Sequence, residues 1–139
     1  MSIQVAESDS QILECFSVLS QLRPHIKQES FLEQVRRQQQ NGHRMIYLEE
    51  NHQAKAVAIF CISENFACGL FLHVYDLVVD ATVRSQGYGH HIFEWLVNYA
   101  KLHGCKELSL DSGVQRFDAH RFYIRHQMNI SGHHFSLPL

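Results

Sequence analysis

Proline is scarce in this chain, with two in 139 residues, and glycine is modest at seven. That composition excludes a collagen-like or low-complexity chain. No apolar stretch approaches the ~20 residues that span a bilayer, so no membrane partner is expected. Charge of one sign is also lacking, since the formal net charge is -2. Without a basic excess, nucleic acid is not an expected partner. The four cysteines, Cys15, Cys61, Cys68 and Cys105, form no CxxC pair and sit mostly in apolar runs. That is the pattern of buried free thiols. Met1–Ser10 is polar and lacks the apolar centre of a secretory signal, so no leader is expected. The cytoplasm is the expected compartment.

What is present suffices for a core. Apolar residues make up 45% of the chain, and its length suits one domain over residues 1–139. Histidine is abundant at eleven. The adjacent pairs His90-His91 and His133-His134 point apart on any helix or strand, and no HExxH or finger spacing occurs, so no metal is expected.

Local signals order the elements. Ser10 can cap a helix carrying Ile12, Leu13, Phe16 and Leu19 at a period near 3.6, and Arg23-Pro24 ends it. A second helix is predicted from about Glu29 to Gln40, stopping at Asn41-Gly42. Strands at Arg44–Leu48 and Lys55–Ile62 flank a polar turn. A branched and aromatic strand follows at Phe71–Val79. A helix after Gly89 buries Ile92, Phe93, Leu96, Val97 and Ala100, and Gly104 ends it. Glu107–Asp111 reads as a strand, Asp118–His126 as a helix and Ser131–Leu137 as a last strand. A short strand is also predicted at Ile3–Ala6. The order implies an α/β (α+β) layer arrangement around a mixed sheet.

The sharpest feature is Arg84-Ser85-Gln86-Gly87-Tyr88-Gly89, between a strand and a helix. The first turn of a helix offers free amides and a partial positive charge. Glycines let an anion approach that backbone closely, and a pyrophosphate suits the site. A Walker loop needs GxxxxGK[ST] and a dinucleotide fingerprint needs GxGxxG, and neither is present. The six residues alone fit a phosphate cradle or a plain glycine-bearing turn.

Their context resembles the GNAT (Gcn5-related) N-acetyltransferase superfamily, which uses R-x-x-G-x-G for the pyrophosphate of coenzyme A. Asp76-Leu77-Val78-Val79-Asp80 resembles the superfamily's central strand. Asp118–Arg125 resembles its late helix, with the A-x-x-F-Y signature. Leu108–Gly113 with Arg116–Tyr123 is similar to the same region of aminoalkylphosphonate N-acetyltransferases and other small bacterial members. The resemblance implies the GNAT acyl-CoA N-acyltransferase fold, with a mostly antiparallel sheet splayed at the cofactor strand. It implies acetyl-CoA as co-substrate. Leu77, Val78 and Val79 would meet the pantetheine, with Leu77 or Val78 offering an N–H to the thioester oxygen. Arg84, Ser85, Gln86, Gly87, Tyr88, Gly89 and His90 would hold the pyrophosphate. Three positions depart from the family pattern: Arg116 where many relatives have Asn, His90 where Ser or Thr is frequent, and Gln127 where glycine often follows the late helix. At Gln127 a differently built turn is expected.

Acetyl transfer to an amine needs a base and a stabilised oxyanion, and it benefits from an acid for the thiolate. Tyr123, in the A-x-x-F-Y position, is the expected acid. Asp76 is the expected base, since a carboxylate in an apolar strand demands a function or a partner. A salt bridge is the alternative. His73 and Tyr75 share one strand face and Asp76 takes the other, unless a β-bulge alters the parity. Arg23, His25 and Tyr75 are the expected acceptor contacts, Arg23 through an acidic group on the acceptor. The expected activity is acetyl transfer to a primary amine, by direct attack in a ternary complex, with a small-molecule acceptor. The alternatives are a protein amine, another acyl-CoA, a non-catalytic acyl-CoA sensor of the same fold, and an interaction module with no cofactor. The apolar end Phe135–Leu139 suits a homodimer contact.

Overall fold

The computed structural model describes residues 2–139, which divide into two compact units, one running through Ser109 and the other covering Leu110–Leu139. In chain order the first unit holds β1 (Ser2–Val5), α1 (Asp9–Glu14), α2 (Phe16–Leu22), α3 (Gln28–Gln40), β2 (Arg44–Glu50), β3 (Gln53–Asn65), β4 (Gly69–Val79) and α4 (Tyr88–Leu102). It closes with β5 (Glu107–Leu110), whose last residue opens the second unit. The strands lie in sequence order in one sheet, and β1 through β4 pair antiparallel. At β5 the direction changes. The Lys106 amide donates to the Leu70 carbonyl at 2.7 Å, and Ser109 Oγ meets His73 Nδ1 at 2.8 Å. Both contacts advance the same way along both strands, so β5 runs parallel to β4. The sheet is mixed and mostly antiparallel, as expected. β5 stops at Leu110, so Tyr75–Val79 lie beyond its reach.

The sheet is covered on both faces. Met45, Tyr47, Val57, Ile59 and Val78 join Ile12, Val18, Leu19, Phe31 and Val35 in one core beneath the first three helices. On the other face Phe60 meets Trp95 and Tyr99 of α4 edge-on, with ring centroids 6.0 and 5.1 Å away. Ala56 through Phe60 are therefore all buried, which explains why β3 reads as an unbroken apolar run. Each large apolar side chain buried there contributes roughly 1.5–3 kcal/mol.

Several boundaries differ from the sequence reading. The first helical region is two helices, with Cys15 between them donating its amide to Ile12 O at 3.1 Å. Its cap is Ser8 rather than Ser10: the Ser8 hydroxyl accepts from the Gln11 amide, and Gln11 accepts from the Ser8 amide. Serine with glutamine three residues on is a capping box. α2 does end before Arg23-Pro24. The β2–β3 turn is Asn51-His52, both at positive φ (54° and 61°), the type I′ geometry that matches strand twist.

α5 (Phe117–Arg125) belongs to the second unit. No strand forms at Ser131–Leu137, which has no regular secondary structure. Phe135 is 90% and Leu137 82% exposed; alternating apolar residues make a strand only when a neighbouring edge accepts their backbone bonds. The turn after α5 also corrects the reading. Gln127 adopts φ 68°, its amide donates to Ile124 O at 3.0 Å, and the Met128 amide donates to Tyr123 O at 3.1 Å. These bonds form a Schellman motif, so the turn is built as glycine would build it, with glutamine bearing the left-handed strain. Gln127→Gly is accordingly expected to raise the melting temperature by about 3 °C, from roughly 1 kcal/mol of relieved strain. Calorimetry showing no rise would mean that the strain is already relaxed.

Candidate active site

The turn after β4 begins with Asp80. Its Oδ1 accepts from the Thr82 amide and hydroxyl, each at 3.0 Å, and from Gln21 Nε2 at 3.4 Å. The Thr82 amide, more than any other neighbour, holds the Asp80 carboxyl below the usual carboxylate range. That cap fixes a one-turn 3₁₀ helix at Ala81–Val83, which delivers Arg84 into the loop. Arg84 is extended (φ -63°, ψ 156°), while Ser85 at φ 68° and Gly87 at φ 84° are left-handed. Gly87 caps α4 with no side chain in the way, and the first intrahelical bond runs from the His91 amide to Gly87 O at 3.1 Å. Arg84 through Gly87 are exposed. An exposed backbone at a helix start suits an anion. The Tyr88 side chain does not belong to this surface. It is buried, with its hydroxyl donating to Glu50, so only its backbone faces the turn. His90 is exposed on the first turn of α4.

One strand earlier, β4 carries a bulge. Ile59 pairs with Asp76 and the next residue, Phe60, pairs with Val74, which leaves Tyr75 as the extra residue. The bulge sends Asp76 to the Ile59 face, beneath the first three helices. His73, opposite Cys61, shares that face. The regular-strand parity that would separate Asp76 from His73 and Tyr75 is therefore broken. Tyr75 meets His73 edge-on at 4.8 Å and stacks on His43 at 4.4 Å with rings 12° from parallel.

Tyr75 and Asp76 line a cavity of about 300 Å³ with Arg23, His25 and His43. Four of the residues singled out in the sequence are thus brought together around it. Arg23 Nε donates to Asp76 Oδ1 at 2.7 Å, and its Nη2 donates to Tyr75 O at 3.2 Å. The ion pair holds the N-terminal loop against the bulge. It also occupies the arginine edge that a bidentate grip on an acidic acceptor would use. Asp76 Oδ2 makes no hydrogen bond among the described residues. Burial raises the Tyr75 phenol above its ordinary range.

In the second unit, Tyr123 sits half-buried on α5. Burial pushes its phenol up, and the Arg116 charge pulls partly the other way. His120 Nε2 lies 2.8 Å from Gly113 O. Sequence reasoning missed His43, and with it Gln34 and Gln38, which also line the cavity. The available signal was Asn41-Gly42. Gly42 at φ 90° closes a Schellman turn in which the His43 amide donates to Gln38 O at 3.0 Å, and that turn aims the next residue at β4.

The profile of the Acetyltransferase (GNAT) family matches residues 11–127. The N-acetyltransferase YhdJ of Bacillus subtilis (strain 168), itself uncharacterized, is 33% identical over 111 residues, 79% of this chain and 78% of that one. Glucosamine 6-phosphate N-acetyltransferase of Arabidopsis thaliana is 30% identical over 79 residues, 54% of this chain and 53% of its own. The crystal structure of the Arabidopsis enzyme superposes with a TM-score of 0.77 over 99% of both chains at 24% identity. A transcriptional regulator from Bacillus halodurans C-125 superposes at 0.85 over 99% of both chains at 17% identity, which speaks to the fold alone. With the profile covering most of its length, the chain belongs to the GNAT family and is an acetyl-CoA-dependent N-acetyltransferase.

Proposed function

We propose that the protein acetylates a primary amine of a small molecule by direct attack in a ternary complex. One observation carries this reading: the same strand, β4, holds the cavity wall at Tyr75 and Asp76 and then leads through Leu77–Val79 to the anion cradle. An acceptor in the cavity and a thioester along the end of β4 would meet within a few residues. The pyrophosphate is assigned to Arg84–Gly89 with His90, and the pantetheine to Leu77, Val78 and Val79. Arg23, His25 and Tyr75 form the acceptor wall.

The reaction needs no covalent enzyme intermediate. The amine nitrogen bonds to the thioester carbonyl carbon, and the carbonyl oxygen gains charge beside the Leu77 or Val78 amide. Asp76, through Oδ2 directly or by way of a water, takes the amine proton. The C–S bond then breaks, and Tyr123 protonates the leaving sulfur. The four cysteines, all free thiols, suit a reducing cytoplasm, and the family profile supports one domain over the chain. No helix among the described residues is long and apolar enough to cross a membrane.

The test mixes the purified chain with acetyl-CoA and an amine panel and follows free thiol. Release that depends on the amine is expected, together with a melting-temperature rise on adding CoA alone. Binding with no turnover across a broad panel would instead make the chain a sensor of acyl-CoA. No thermal response at all would remove the cradle assignment.

A further inference from the structure

The segment between β4 and α4 is held at both ends by the β2–β3 hairpin. At its start the Asp80 amide donates to Lys55 O at 2.8 Å, which extends the β3–β4 ladder one rung past the Ala56–Val79 pair. Lys55 is the extra residue of a bulge, since Leu48 pairs with Ala56 and Glu49 with Ala54. Gln21 adds a bond at this same end, accepting from the Ala81 amide at 2.9 Å. At the far end the Tyr88 hydroxyl donates to Glu50 Oε2. Glu50 is the last residue of β2 and pairs with Gln53 across the Asn51-His52 turn. Between the two anchors every residue is exposed except half-buried Val83, so the loop has little packing of its own to fix it.

The Tyr88 end bears on the cofactor. Tyr88 is the first residue of α4, and the first-turn amides of a helix have no acceptor within it. Fixing the Tyr88 side chain therefore fixes the backbone that an anion would meet. Its ring is buried, and a phenylalanine would fill the same space. The hydroxyl adds a tether: a carboxylate acceptor makes a charge-assisted bond, stronger than a neutral one. That bond, more than burial, raises the Tyr88 phenol above its ordinary range, so it remains a donor at neutral pH.

We propose that Glu50 is a positioning residue for coenzyme A: acting through the Tyr88 hydroxyl, it holds the first turn of α4 in the geometry that receives the pyrophosphate. The inference rests on the assignment of the pyrophosphate to Arg84–Gly89. It adds a residue from another element, the tip of the β2–β3 hairpin, that acts on the ligand only through Tyr88.

Calorimetric titration of the full chain with coenzyme A tests it, using Glu50→Ala, Tyr88→Phe and the double variant. Each single variant is expected to raise the Kd about tenfold, because a turn that is competent only part of the time binds more weakly in proportion. The two changes remove one shared bond. The double variant is therefore expected to bind about as weakly as either single one, not about a hundredfold worse than wild type. Glu50→Gln keeps an oxygen for the phenol and is expected to stay within about threefold of wild type. Tyr88→Phe keeps the buried ring, so it reads the bond in a folded chain even where Glu50→Ala lowers stability. A merely structural tether would lower the melting temperature and leave the Kd, measured well below it, unmoved. An unmoved Kd in both single variants overturns the proposal while the pyrophosphate assignment stands. Effects that multiply in the double variant overturn the route through Tyr88. A wild-type chain that takes up no coenzyme A sinks the pyrophosphate assignment itself, and the role of Glu50 with it.

Discussion

Replacing Tyr123 with phenylalanine is expected to lower kcat about a hundredfold, at the low end of what a positioned general acid supplies, while acetyl-CoA affinity stays near wild type. The state of the phenol sets this expectation. Burial raises its pKa and Arg116 opposes the rise, so the group stays protonated across neutral pH. An ordinary thiol titrates near ~8.5 and an ordinary tyrosine near ~10. The donor is therefore a weaker acid than the thiol it would produce, and its contribution is a hydrogen bond to the developing thiolate, with the proton following as sulfur leaves. The sign of the pH effect follows. Because the folded pKa is raised, the proton is fully present below the ordinary tyrosine range and is lost only as pH climbs through the raised value, so any alkaline loss of kcat due to Tyr123 lies above about pH 10. Stopped-flow thiol release and calorimetry with CoA separate the two quantities. Equal loss of turnover and affinity would identify Tyr123 as a packing residue instead.

Asp76→Asn is the second large effect, again about a hundredfold in kcat. Asparagine keeps an oxygen for Arg23 Nε, so the wall of the cavity persists. The cost to stability is small. The Arg23 side chain is 44% exposed and the Asp76 side chain 16%, so the arginine can hydrate once its countercharge is gone, and the loss is about 1 kcal/mol or less. A large kinetic effect beside a small thermal one is the signature of a base. A mutant whose kcat matches wild type would falsify the role and leave Asp76 as the anchor for Arg23.

The turn and helix chemistry was legible because it is local. Arg23-Pro24 ended a helix through sterics between adjacent residues. Asn41-Gly42 and Gly104 closed helices because glycine tolerates positive φ, and both glycines take it, at 90° and 74°. The glycine turn that opens α4 was legible for the same reason. Ser8 was overlooked in favour of Ser10 because both are plausible caps, and only the reciprocal bond to Gln11 decides between them. The terminal strand failed for a different reason. Alternating apolar residues describe a face but not a partner, and Phe135 and Leu137 found none.

Composition and short-range pattern alone settled the mixed α/β architecture, the glycine turn that opens α4, and the family motifs on either side of it. These depend on interactions within a few residues, which a linear chain states directly. Folding in three dimensions settled the rest. A single extra residue opposite Ile59 and Phe60 turned Asp76 to the face that Arg23 reaches. It set Tyr75 against His43 in the loop before β2 and left an imidazole nitrogen buried without a partner among the described residues. A bulge is fixed by how two strands register, and an ion pair between residues 53 apart by how a loop lies over a sheet. Neither leaves a mark in the spacing of letters.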